Sequence, residues 1–136
     1  MASTLKLNTL TGASTAGSIA VTGEGNSTTT NLQQGLAKTW IELRTVDGGP
    51  VDGDSLNVSS LDDDATGRYT IHHTNSMGGV YYSKSIGVYS TIGTSNMVFA
   101  GYDDQSASQA QCTVVDEGNS AADCTSLGFT AHGDLA

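Results

Sequence analysis

From Trp40 onward apolar residues recur at every second position in short runs, and each run is closed by Gly, Ser, Asp or Asn. A period of two places alternate side chains on opposite faces of a strand, so such runs half-bury as β-structure and cannot form an amphipathic helix. The runs are "SLNVSSL" with Leu56 and Val58, "RYTIHHT" with Tyr69 and Ile71, "VYYSKSIGVYS", "NMVFAGY", "AQCTVV" and "CTSLGFTA". "DDDATG" reads as the longer loop of a hairpin between the first two, and "DGGPVDGDS" as a turn-rich loop holding the lone proline, Pro50. Short strands at this rhythm predict an all-β domain of about seven or eight strands, a small β-sandwich or jelly-roll-like head. Helices do not alternate with the strands, which excludes the doubly wound enzyme folds.

The chain of 136 residues suits one compact domain with appendages. A hydrophobic content of 37% with 17 glycines leaves few side chains for a core, so association with further copies or a partner is expected. The formal charge of −9 argues against nucleic acid and anionic membrane surfaces as partners. No run is long and apolar enough to span a bilayer, and the start "MASTLKLNTL" lacks an apolar signal core. Synthesis in the cytoplasm without membrane insertion is therefore expected.

Residues 1–30 are polar and glycine-rich. They divide into two alternating pieces, "STLKLNTLTG" and "AGSIAVTGEG", each read as a narrow strand. Leu5, Leu7, Leu10, Ile19 and Val21 supply the apolar side chains, too few for two strands to stand alone. The segment reads as an extended anchoring or oligomerisation leader. In residues 31–40 the period turns helical: Leu32, Leu36 and Trp40 fall at i, i+4, i+8, with Thr30 or Asn31 as cap. A short helical neck is expected there, with Trp40 as its apolar pin on the head of residues 41–136. Gly35 weakens that helix by about 1 kcal/mol relative to Ala.

Within this frame, "LQQGLAKTWIEL…DSLNVSSLDDDATGRYTIHHTNSM", Leu32 to Met77, resembles a module of small structural proteins of marine bacteriophages. Its pattern is Gln-Gly-Ala-Lys-x-Trp, then Asp-Ser-x-Asn-Val-Ser-Ser, then Thr-Gly-x-Tyr-Thr before an aromatic-rich strand. Leu56 and His73 stand here where that pattern has aromatic residues. "STLKLNTL" is also similar to the strand that opens many phage fibre-type proteins. The resemblance implies a non-enzymatic virion subunit without cofactor, a fibre, knob or capsid decoration protein. It would be homotrimeric and anchored through its leader to other virion proteins of capsid or tail. The alternative is a host-attachment head that binds bacterial surface glycan.

Candidate chemistry is sparse. Cys112 and Cys124 flank "TVVDEGNSAAD" at a spacing that fits either a disulfide or two reduced, buried thiols. Asp47, Asp52 and Asp54, then Asp62–Asp64, then Asp103–Asp104 suggest calcium, yet "DGDSLN" lacks the glycine and distal glutamate of an EF-hand loop. Solvated turns are the expected reading, and no metal site is assigned. His72 and His73 are neighbours on a strand and must face opposite ways, one inward and hydrogen-bonded, one outward. "GEGNST" lacks the third glycine and the following helix of a phosphate cradle. No G-x-S-x-G setting occurs. "NST" at Asn26 and "NVS" at Asn57 match glycosylation acceptors, a match that carries no weight without a signal peptide. Tyr81, Tyr82, Tyr89, Phe99 and Tyr102 are candidate contact residues, the tyrosines for a receptor because tyrosine stacks on sugars and lines interfaces; the commoner case for such aromatics is half-burial on a sheet.

Overall fold

The computed structural model describes residues 5–12, 19–22, 29–46, 49–89 and 99–135, with the side chains of 33, 34, 46, 99, 100 and 102–105 left aside. The chain divides into two compact units, Met1–Leu36 and Ala37–Ala136.

In the first unit β1 (Ala20–Thr22) pairs antiparallel with β2 (Thr29–Asn31). The Leu32 amide donates to the Ile19 carbonyl at 2.8 Å and closes this ladder. The expected strand in "STLKLNTLTG" is not formed: Leu5–Gly12 has no regular element. A lone strand has nothing to take up its backbone groups, and alternation by itself does not supply a partner. The helix α1 is a single turn, Leu32–Gly35.

Among its described residues the second unit holds eight strands: β3 (Ala37–Val46), β4 (Gly49–Leu56), β5 (Val58–Ala65), β6 (Arg68–His73), β7 (Ser83–Tyr89), β8 (Phe99–Gln105), β9 (Gln109–Val115) and β10 (Ser126–His132). They make two four-stranded antiparallel sheets in the orders β4-β3-β10-β7 and β5-β6-β9-β8. The all-β expectation holds. Alternation selects the buried face of each strand: Thr39, Ile41 and Leu43 on β3, Leu127, Phe129 and Ala131 on β10, Tyr69, Ile71 and His73 on β6, and Ala110, Cys112 and Val114 on β9. Their apolar members join Met77, Tyr82 and Cys124 in one hydrophobic cluster drawn from both sheets. Half-buried Ile86 and Val88 of β7 and Val58 and Leu61 of β5 pack against its margin.

Three expectations are corrected. The helical face through Leu32, Leu36 and Trp40 is not built, because β3 begins at Ala37 and takes Trp40 into its ladder opposite Leu56 and Thr130. Burial of Thr39, Ile41 and Leu43 on one side of β3 overrides the weak helical period and leaves Trp40 half-buried on the other. Leu36 is exposed and Leu32 is half-buried, so neither pins a core. "GPVDGDSL" is strand β4 rather than loop. An edge strand tolerates proline, and a register shift between Glu42 and Leu43 accommodates Gly53, where a Cβ would lie 2.9 Å from the Glu42 carbonyl oxygen. Asp62–Asp64 lie within β5, so the β5–β6 hairpin closes on Thr66 and Gly67 instead of the longer acidic loop.

Candidate functional site

The fold disperses the candidate contact residues. Tyr81 is 96% exposed and Tyr89, at the end of edge strand β7, is 61% exposed. Tyr82 lies between them in sequence and faces inward. Its hydroxyl donates to the carbonyls of Ser106 at 3.3 Å and Gln109 at 3.0 Å, tying the chain before β7 to the β8–β9 turn. Burial pushes its phenol up to about 12. Tyr82 is therefore a structural residue, which corrects its reading as a receptor contact. Tyr102 and Phe99 have side chains outside the described residues.

On the outward face of the β4-β3-β10-β7 sheet, Trp40 opposes Thr130 one row from Gly128, and Gly128 pairs with Gly87. A Cβ at Gly87 would meet nothing within 4 Å, so this row is bare backbone. Glu42 and Arg44 border it with an exposed ion pair at 3.1 Å. A half-exposed tryptophan, bare glycines and an exposed tyrosine make this face an open shelf.

The outward face of the second sheet is polar. His72 Nε2 lies 2.8 Å from Asp62 Oδ2. Asp64 Oδ2 accepts from Thr70 Oγ1 at 2.6 Å and from Gln111 Nε2 at 3.0 Å. These carboxylates are occupied by side chains of their own sheet, as polar cross-strand pairs in a half-buried ladder are. Between β4 and β5 runs a groove of about 230 Å³ lined by Pro50, Asp52, Val58, Ser59, Ser60 and Leu61. Among the described residues no three His, Cys, Asp or Glu side chains stand where they could share a metal ion. Asp47 and the side chains of Asp103 and Asp104 lie outside the described residues. Among the described residues, no helix is long and apolar enough to cross a membrane.

The two histidines divide as their adjacency requires. His73 is 7% exposed. Its Nδ1 sits 3.2 Å from the Ala107 carbonyl, its ring meets Tyr82 edge-on at 5.9 Å, and its buried Nε2 has no hydrogen-bond partner among the described residues. Burial holds its pKa below the usual histidine value, aided by the nearby His72 and opposed by the Ala107 carbonyl. The unfolded chain titrates near the ordinary value of about 6.5. Stability from the neutral ring is therefore complete above that pH and declines as pH falls through the lowered folded pKa. Melting temperature should fall between pH 7 and 5 more steeply than in a His73→Gln variant. Equal slopes in the two proteins would remove His73 as the cause.

Cys112 and Cys124 are separate thiols, both fully buried. Of the two readings left open by the sequence, this is the pair of reduced, buried thiols: Cys112 is an inward position of β9, packed into the shared core. Burial pushes the Cys112 thiol up to about 12, against the opposing effect of Lys84, and pushes the Cys124 thiol up as well. Thiolate is the reactive form, so neither should react with a thiol reagent in native protein at pH 8, and both should react in denaturant. Rapid native labelling would contradict this placement.

Residues that sequence reading passed over hold the head together. Asn57, with φ of 62°, ends β4 and starts the turn into β5 of the other sheet. Its Nδ2 donates to Thr39 Oγ1 and to the Asn75 carbonyl, and its Oδ1 accepts from the Asn75 amide at 2.7 Å. The acceptor asparagine of "NVS" is thus committed to the fold. Asp123 Oδ1 accepts from the Gly67 amide at 2.7 Å and from the Tyr69 hydroxyl at 3.2 Å. This corrects the reading of "SLNVSSL" as one run: Leu56 ends β4, Val58 begins β5 in the other sheet, and Asn57 stands at the break, so only the Thr-Gly before a strand was a legible signal. The distant partners were not.

A scan of protein-family models matches none to this chain, and searches of curated proteins and of solved structures return no match.

Proposed function

We propose that this chain is a non-enzymatic structural subunit of a bacteriophage virion, a small fibre, knob or decoration protein. Its leader joins it to other copies and to the particle. The observation that carries the reading is in the leader: Leu5, Leu7 and Leu10 are 80%, 54% and 55% exposed, three large apolar side chains open to solvent within six residues. A neighbouring chain would cover them, while the second unit keeps a core of its own. The resemblance of Leu32–Met77 to phage structural modules supplies the setting, and a homotrimer is the assembly it implies. Two four-stranded sheets around one core fit a β-sandwich head. Its in-sheet hairpins β3–β4, β5–β6 and β8–β9 make the jelly-roll likeness one of strand number rather than of connectivity. Electron microscopy of intact particles tests the assignment: density for the head on capsid or tail is the expected result, and its absence from purified particles would overturn it.

A second reading, a glycan-binding host-attachment head, is favoured by one observation, the exposure of Tyr81 and Tyr89. A glycan array with the wild type and a Tyr81→Ala/Tyr89→Ala variant decides it. Binding that vanishes in the variant supports this reading, and no binding by the wild type removes it.

A further inference from the structure

A sheet edge offers unpaired backbone groups to any strand that reaches it, and proteins blunt edges with charge, proline and irregular register. Among the described residues, three of the four edges combine acidic residues with an irregular register. β4 carries Pro50, Asp52 and Asp54 and a register shift. β5 carries Asp62–Asp64 and two shifts, and β8 carries Asp103 and Asp104 and one. The fourth edge, β7, carries one charged residue, Lys84, but no Asp, Glu or Pro, and it pairs with β10 over seven residues without a shift. Among the described residues β10 is the only strand paired with it. Its inward Ile86 and Val88 pack against the core yet stay half-buried, and exposed Val80, Tyr81 and Tyr89 flank it.

A segment suited to that edge is present in the same sequence. Leu5–Leu10 alternates like a strand, has no regular element, and exposes Leu5 and Leu7, which share a face at a spacing of two. Charge favours the match. Lys6 is the sole charged residue before Glu24, whereas residues 37–136 hold 13 of the 14 acidic residues. Two acidic heads repel, but a segment such as Leu5–Leu10, with one lysine and no acid, can approach a head without that penalty.

We propose that Leu5–Leu10 of one copy adds as a strand to the outer edge of β7 in a neighbouring copy, with Leu5 and Leu7 laid over Ile86 and Val88. The inference rests on the reading of the chain as a self-associating virion subunit, and it names the contact. Strand addition draws affinity from main-chain hydrogen bonds and register from alternate side chains. Six residues extended at about 3.3 Å each cover nearly all of a seven-residue edge. The contact joins unlike surfaces, so it closes into a ring such as a trimer when each copy gives one leader and receives one.

Native mass spectrometry and amide hydrogen exchange on the full chain, wild type against Leu5→Ser/Leu7→Ser, test it. Both substitutions fall on exposed side chains, so the melting of the head should be unchanged. The expected result is an oligomer in the wild type, its loss in the variant, and at least tenfold faster exchange across Ser83–Tyr89. A monomeric wild type overturns this inference together with the reading beneath it. An oligomer that survives in the variant, or one lost with exchange in Ser83–Tyr89 unaltered, overturns the strand addition alone.

Discussion

Gly67→Ala is expected to leave no folded head, or one destabilised by more than about 4 kcal/mol, at the extreme of single-substitution effects. Two independent causes act at one atom. The backbone at Gly67 has φ of 67°, a left-handed conformation that a Cβ disfavours by about 1–2 kcal/mol. A Cβ there would also lie 2.4 Å from the Val114 carbonyl oxygen and 2.8 Å from both the nitrogen and the oxygen of Ala122. All three are backbone atoms in the packing of the β5–β6 hairpin tip against β9 and the segment that follows it. Val114 donates its amide to the Gly67 carbonyl at 2.7 Å, and Ala122 donates to the Val114 carbonyl at 3.2 Å. None can retreat without straining these backbone hydrogen bonds. Circular dichroism and thermal melting of the variant check it, and a melting temperature within a few degrees of wild type would show that the tip is looser than described.

Asn57→Ala should lower stability by about 2–3 kcal/mol, from lost hydrogen bonds at roughly 1 kcal/mol each and a less tolerant side chain at positive φ. The amide of Asn57 reaches Thr39, a fully buried residue of one sheet, and Asn75, which follows the last strand of the hairpin in the other. The Thr74 amide donates to the Asn57 carbonyl at 3.0 Å, so the crossover is tied by backbone as well. Asn57→Gly separates the contributions. It relaxes the backbone while losing the same side-chain bonds, and should recover about 1 kcal/mol relative to Ala. Denaturant unfolding that places Ala within about 0.5 kcal/mol of wild type would reduce Asn57 to an ordinary surface residue.

Much of the head was legible from alternation, because period two and burial on one face are the same fact seen from sequence and from structure. The runs holding Tyr69 and Ile71, Cys112 and Val114, and Leu127 and Phe129 became β6, β9 and β10 with those residues inside. Adjacent His72 and His73 split across a strand as required. What failed were the places where tertiary pairing outweighs local preference. Pro50 and Gly53 read as loop, yet an edge strand that needs only one partner admits both. Leu32, Leu36 and Trp40 match a helical period, but a two-turn helix around Gly35 gains less than β3 gains by burying Thr39, Ile41 and Leu43. The tyrosines looked equivalent as candidates, and only the fold distinguishes buried Tyr82 from exposed Tyr81. Cys112 and Cys124 left disulfide and thiol both open in sequence, because chain spacing does not fix distance in space.

Stability and assembly are thus assigned to separate parts of the chain. The head owes its order to a core shared by two sheets and to Asn57, Gly67 and Asp123 at their joints. The leader has exposed leucines, and under the proposed function its role is to join other chains. Native mass spectrometry of the intact 13.9 kDa chain at micromolar concentration addresses that division directly. A species at three times the chain mass is the predicted outcome, and a chain that stays monomeric at every concentration tried would contradict it.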